Sequence, residues 1–141
     1  MNILRVTSDE KYDEYVSTKG EGITWLCWLI KKEIPFLPKG LRVLNCNGND
    51  LTALPKLPKT LLRLYCSNNK LTVLPKLPKG LLYLYFENNL ITDVPDEFPE
   101  DLEALGYQGN KLKKIPKYKN QKYHCNHCGG CCELPKKKIE K

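Results

Sequence analysis

LPKTLLRLYCSNNKLTVLPK, residues 57–76, decides the fold because near-copies of it stand on either side. LPKGLRVLNCNGNDLTALPK (37–56) precedes it and LPKGLLYLYFENNLITDVPD (77–96) follows, all aligned without a gap at a period of 20 residues. A fourth copy, EFPEDLEALGYQGNKLKKIP (97–116), carries one inserted residue. Asn49, Asn69, Asn89 and Asn110 keep one phase, as do Leu44, Leu64, Leu84 and Leu105. So do Leu41, Leu61, Leu81 and Leu102, and Leu51, Leu71, Ile91 and Leu112. Each copy closes on Leu54, Leu74, Val94 or Ile115 with a proline directly after it.

The consensus is L-x-x-L-x-L-x-x-N-x-L-x-x-L-P. Its L-x-L segment alternates and so predicts a short strand with one face inward. One copy cannot bury its own leucines, whereas stacked copies can. The recurring asparagine suits turn backbone groups inside the coil, where unpaired ones are costly. Nine of the ten prolines fall in two repeat-phased series, Pro35/55/75/95/116 and Pro38/58/78/99. Proline there excludes a helix and favours an extended, polyproline-like return.

This pattern is that of leucine-rich repeats. It resembles the short, 20-residue repeats of secreted bacterial effectors of the YopM and IpaH type, and similar repeats in proteins of large DNA viruses. The resemblance spans residues 35–116. It implies an α/β repeat fold: a short solenoid with parallel strands on a concave face and extended return arms. Effector ligases of that group carry a large catalytic domain after the repeats, for which these 141 residues leave no room.

Solenoid ends need covering, and residues 1–36 are read as an N-terminal cap, 37–116 as four repeats, and 117–141 as a basic Cys/His-rich tail. Thr7-Ser8-Asp9-Glu10 before Tyr12, Tyr15 and Val16 predicts a capped amphipathic helix that Gly20 and Gly22 end. Ile23, Leu26, Cys27, Ile30 and Ile34 then fit a helical stripe broadened by Trp25, Trp28 and Leu29. The same segment fits a degenerate repeat, Ile23-x-x-Leu26-x-Trp28. The helical reading is preferred, with Trp25 and Trp28 sealing the edge of the core.

The composition, 28% charged and 41% hydrophobic, suits a soluble globular chain and argues against wholesale disorder. Residues 23–30, the most apolar stretch, fall far short of the ~20 a membrane span needs. The N-terminus has no long apolar segment, so no secretory signal is expected. An intracellular, reducing compartment follows as the expectation: cytoplasm, or host cytoplasm or virion for a viral protein. The net charge of +7 is uneven. Residues 117–141 hold seven lysines against two glutamates, a net +5, while 1–36 are at −1 and 37–116 at +3. Lysines repeat once per turn in the return arms (Lys39, Lys59, Lys79; Lys56, Lys76), a solubilising surface by default. No nucleic-acid module accompanies them, so nucleic acid is not the expected partner.

Register places Val43, Asn45 and Asn47, then Arg63, Tyr65 and Ser67, then Tyr83, Tyr85 and Glu87, then Ala104, Gly106 and Gln108 on the outward strand face. Four strands ~4.8 Å apart make a face roughly 15–20 Å across. Arg63, Tyr65, Tyr83, Tyr85 and Glu87 cluster in its middle, with the residue types that carry interface energy. A peptide or protein partner is therefore expected there. The repeats hold no Ser-His-Asp or Cys-His set, no phosphate-cradling glycine loop and no paired carboxylates, so an enzyme is not expected.

Seven cysteines cannot all pair within one chain. Cys46 and Cys66 hold the inward position that Phe86 and Tyr107 fill later, and Cys27 is read as core too. The tail differs. Cys125, Cys128, Cys131 and Cys132 stand among His124 and His127, and Cys125-x-x-Cys128 is a metal-knuckle spacing. Zinc taking Cys125, Cys128, one of Cys131/Cys132 and one histidine is one reading. The run is too compact for an ordinary zinc module, and a C-x2-C-x2-C-x3-C cluster would need a cysteine where Pro135 stands. A reduced tail without a ligand, disulfides, lipidation with a peripheral membrane contact of Lys136-Lys137-Lys138, and an intermolecular metal site stay open. Two alternatives to the interaction module thus remain: a metal-binding tail that binds nucleic acid or mediates assembly on a repeat scaffold, and a structural component of a larger assembly such as a virion.

Overall fold

A computed structural model describes residues 2–119. One parallel sheet of six strands runs in chain order: β1 (Ile3–Val6), β2 (Trp25–Trp28), β3 (Val43–Asn45), β4 (Arg63–Tyr65), β5 (Tyr83–Tyr85) and β6 (Ala104–Gly106). The helix α1 (Asp9–Thr18) crosses between β1 and β2. Pairing is in perfect repeat register from β3 to β5: Leu44 opposes Leu64, which opposes Leu84, and Leu105 follows on β6. Those four leucines point inward and are buried, as are Leu41, Leu61, Leu81 and Leu102. The return arms hold neither helix nor strand, as their prolines require.

Two features make one coil stack on the next. The residue before each ladder asparagine adopts a left-handed backbone: Gly48 (φ 71°), Asn68 (57°), Asn88 (54°) and Gly109 (74°). Glycine and asparagine are the residues that tolerate this conformation, which explains N-G-N, S-N-N, E-N-N and Q-G-N at one phase. The turn then aims the asparagine inward. Asn69 Nδ2 donates to the carbonyls of Cys46 (2.9 Å), Cys66 (3.1 Å) and Ser67 (3.1 Å), while its Oδ1 accepts from the Asn49 (3.0 Å) and Leu51 (2.9 Å) amides. One coil on, Asn89 Nδ2 donates to the Cys66, Phe86 and Glu87 carbonyls while its Oδ1 accepts from the Leu71 amide alone among the described residues, and Asn110 keeps part of the set. Asn49 reaches back to the Trp28 carbonyl at 2.6 Å, so the ladder extends into residues ahead of the repeats.

That extension corrects the reading of residues 23–34 as helix. Leu26 and Trp28 face inward in line with Leu44 and Cys46, and Trp25 and Cys27 pair with Val43 and Asn45. The degenerate repeat is the form adopted, because β3 would otherwise leave an edge of unpaired backbone groups that a helix cannot satisfy. β1 adds a further strand ahead of it, with Leu4 opposite Leu26 and Val6 opposite Trp28. The sheet is therefore six strands wide, about 24 Å across at ~4.8 Å per step.

The expected first helix forms. Ser8 caps it, its Oγ accepting from the Lys11 amide at 3.3 Å, and Lys19 ends it in the left-handed conformation. Tyr15 is its anchor. The fully buried ring stacks on Phe36 (4.8 Å between centroids) and meets Trp28 edge-on (5.5 Å), and its hydroxyl donates to the Phe36 carbonyl. Burial pushes the Tyr15 hydroxyl pKa well above its ordinary value. Val16, expected on the same face, is exposed. The two tryptophans separate: Trp28 is wholly buried with Nε1 donating to the Lys32 carbonyl (2.8 Å), whereas Trp25 is half-buried on the outer sheet face.

Candidate functional site: the concave sheet face

The outward strand positions form two full columns. One runs Ile3, Trp25, Val43, Arg63, Tyr83, Ala104, and the other Arg5, Cys27, Asn45, Tyr65, Tyr85, Gly106. Arg63, Tyr65, Tyr83 and Tyr85 meet on the adjacent strands β4 and β5, as their phase predicts, but on the C-terminal side of the six-strand face rather than in its middle, because β1 and β2 extend the other side. Tyr65 and Tyr85 are diagonal to nothing: they are register partners, and their rings stack at 5.5 Å and 8°. The Arg63 guanidinium lies over the Tyr83 ring at 4.9 Å. The Tyr83 hydroxyl donates to Glu103 Oε2 at 2.7 Å, and that carboxylate raises the hydroxyl pKa.

Glu87 sits one step further along the chain and is held from below. Ser67 Oγ donates to its Oε2 and accepts from its amide at 3.1 Å. Its other oxygen is buried without a hydrogen-bond donor among the described residues. The carboxylate lies over Gly106, where a Cβ would collide with it and would also stand 2.6 Å from the Tyr85 ring. Ser67 and Gly106, read as outward surface, are consequently buried beneath Glu87 and Tyr85. Sequence phase put all three on one face; it carried no sign that Glu87 roofs the other two, since these contacts join residues 19 or 20 apart.

The N-terminal half of the face was missed. Ile3, Arg5, Trp25 and Cys27 continue the columns, and Trp25 Nε1 has no acceptor among the described residues. Cys27, expected in the core, is a half-buried thiol of the outer face. The misplacement follows from the helix reading, because period 3.6 and period 2 put Cys27 on different sides. Cys46 and Cys66 are buried as expected, and burial pushes Cys46 up to about 12 and Cys66 well above its ordinary value, with Cys46 and Glu87 adding to the latter.

The sheet, the inward leucine columns and the asparagine ladder together answer the repeat. The chain is a leucine-rich-repeat protein. A solved structure bears this out: YopM from Yersinia enterocolitica WA-314 superposes on the solenoid with a TM-score of 0.58 at 33% identity, over 67% of this chain. The match covers 20% of that chain, so the leucine-rich-repeat protein described here spans about a fifth of its length. No family model matches. No curated protein matches either.

Among the described residues no group of three His, Cys, Asp or Glu side chains is placed to hold a metal. His124, Cys125, His127, Cys128, Cys131 and Cys132 lie outside the described residues. No helix among the described residues is long and apolar enough to cross a membrane.

Proposed function

We propose that this solenoid is a non-enzymatic interaction module that binds a peptide or protein on the concave face, around Arg63, Tyr65, Tyr83, Tyr85 and Glu87. The observation that carries the reading is the stacked Tyr65–Tyr85 pair beside the Arg63–Tyr83–Glu103 chain of contacts. Side chains held in mutual contact leave less rotamer entropy to lose when a partner meets them. Tyrosine and arginine are among the residue types that dominate interface energy, and repeat scaffolds present concave faces for binding. The three free thiols at Cys27, Cys46 and Cys66 fit a reducing, intracellular setting.

The test is affinity capture with the purified chain and with a Tyr65→Ala/Tyr83→Ala/Tyr85→Ala variant whose circular dichroism and melting match it. Proteins captured by the parent and lost by the variant support the reading. Equal capture by both ends it.

A second reading rests on the tail sequence alone, in which Cys125-x-x-Cys128 with Cys131, Cys132, His124 and His127 supplies enough soft ligands for one zinc ion. Elemental analysis of protein purified under reducing conditions without chelator tests it. One zinc per chain, lost on Cys125→Ser/Cys128→Ser, is the expected result, and metal-free protein excludes it.

A further inference from the structure

The return-arm side of the solenoid, away from the concave face, carries two shallow grooves of different character. The first, of about 690 Å³, is floored by Phe36, Leu57 and Pro58 and ringed by Lys39, Lys56 and Lys59. No acidic side chain lines it. The second, of about 900 Å³, is floored by Leu77 and Phe98. There Lys76 and Lys79 face Asp93, Glu97, Glu100 and Asp101.

The charge pattern along the chain explains the contrast. Residues 51–86 contain six Lys or Arg and no Asp or Glu. At both ends of the solenoid, lysines are matched to carboxylates: Lys31 to Asp50 (3.2 Å), Lys32 to Asp9 (2.9 Å), Lys119 to Glu100 (2.9 Å), and Lys114 to Asp96. In the middle, Lys39, Lys56, Lys59, Lys76 and Lys79 are exposed and have no ion-pair partner among the described residues. Lys39, Lys59 and Lys79 occupy one repeat position on successive coils, where like charges repel, and of the three only Lys79 has carboxylates in the groove beside it.

We propose that the return-arm face centred on the first groove docks a short acidic peptide segment of a partner protein. An apolar side chain of that segment rests on Phe36 and Leu57, and its carboxylates meet Lys39, Lys59 and Lys79. The three lysines stand one per coil, so an extended segment running across the coils meets them in turn. A nucleic-acid strand fits less well. Its bases need open aromatic faces or arginine planes, whereas this floor offers a single aromatic ring, Phe36, which already gives one face to Tyr15. The site shares no residue with the concave patch.

The experiment is fluorescence anisotropy of the full chain with a fluorescein-labelled Glu-Glu-Phe-Glu-Glu peptide at low and moderate salt. Three further probes are its all-Gln version, its Phe→Ala version and a single-stranded oligonucleotide of equal charge. Binding of the first peptide is expected to weaken at least tenfold with the Gln version and several-fold with Phe→Ala. It is also expected to weaken at least tenfold on Lys39→Glu/Lys59→Glu/Lys79→Glu, and in the same direction on the milder Lys→Gln triple. The concave Tyr65→Ala/Tyr83→Ala/Tyr85→Ala variant is expected to bind it unchanged. Retained binding by the lysine variants would place it elsewhere, in the basic tail for instance, and overturn the proposal. Equal binding of the Gln or Ala peptides, stronger binding of the oligonucleotide, or no binding by the parent chain overturns it as well.

Discussion

The inward and outward columns of the sheet stand on the same strands one residue apart, yet they follow opposite rules. Inward, Leu44, Leu64, Leu84 and Leu105 repeat one residue type, all buried. Outward, Val43, Arg63, Tyr83 and Ala104 differ at every coil. The inward columns repeat because each coil is the only shelter for the leucines of the next, so a change in one damages two. The outward columns touch one another, as in the Tyr65–Tyr85 stack and the Arg63–Tyr83 contact, and shelter no leucine, so they are free to differ. What repeats holds the fold, and what varies is not held to one residue type by the core.

Leu64→Ala should break the inward side most severely. It removes a fully buried side chain from the central coil and is expected to cost about 2–5 kcal/mol, read from a urea melt. Asn69→Ala follows. It leaves the Asn49 and Leu51 amides without their shared acceptor inside the coil, a penalty of about 1–3 kcal/mol. A loss near zero would mean that water replaces the ladder and that the turn does not depend on it.

The thiols sharpen the same division chemically. Alkylation of native protein at pH 8, mapped by mass spectrometry, should modify Cys27 well before Cys46 and Cys66. The sign of the pH effect follows from burial. The Cys46 pKa is raised from 9.0 to about 12, so the folded state holds its proton when the unfolded chain has lost it. Its contribution is complete below pH 9 and fades as pH rises toward about 12. Stability that declines equally in a Cys46→Ala/Cys66→Ala variant over that window would assign the decline to other groups.

The smallest effect is expected on the outward side. Tyr65→Ala should cost about 1 kcal/mol or less, the scale of one aromatic pair with Tyr85. A larger loss would show that the concave tyrosines belong to the core rather than to a binding face.

Legibility divided along related lines. The four in-phase copies were enough to place Leu64 inward, Asn69 in a turn, and Arg63, Tyr65, Tyr83 and Tyr85 on one face, since each statement depends only on phase. β1 and β2 were not legible in the same way. Ile3–Val6 offers four residues of alternation, too few to distinguish from chance, and residues 23–34 satisfy a helical stripe as well as a strand. Length and propensity could not arbitrate there; the open edge of β3 did. Cys27 moved from core to surface as a result.

The sequence by itself determined the repeat, its strand positions, the inward leucines and the ladder, because a period of 20 with one buried face admits a single stacking. Only the tertiary structure decided how the solenoid begins, which lysines find carboxylates, and that Glu87 closes over Ser67 and Gly106. Those outcomes depend on side chains that meet across coils, at distances set by the packing of whole turns rather than by any local pattern.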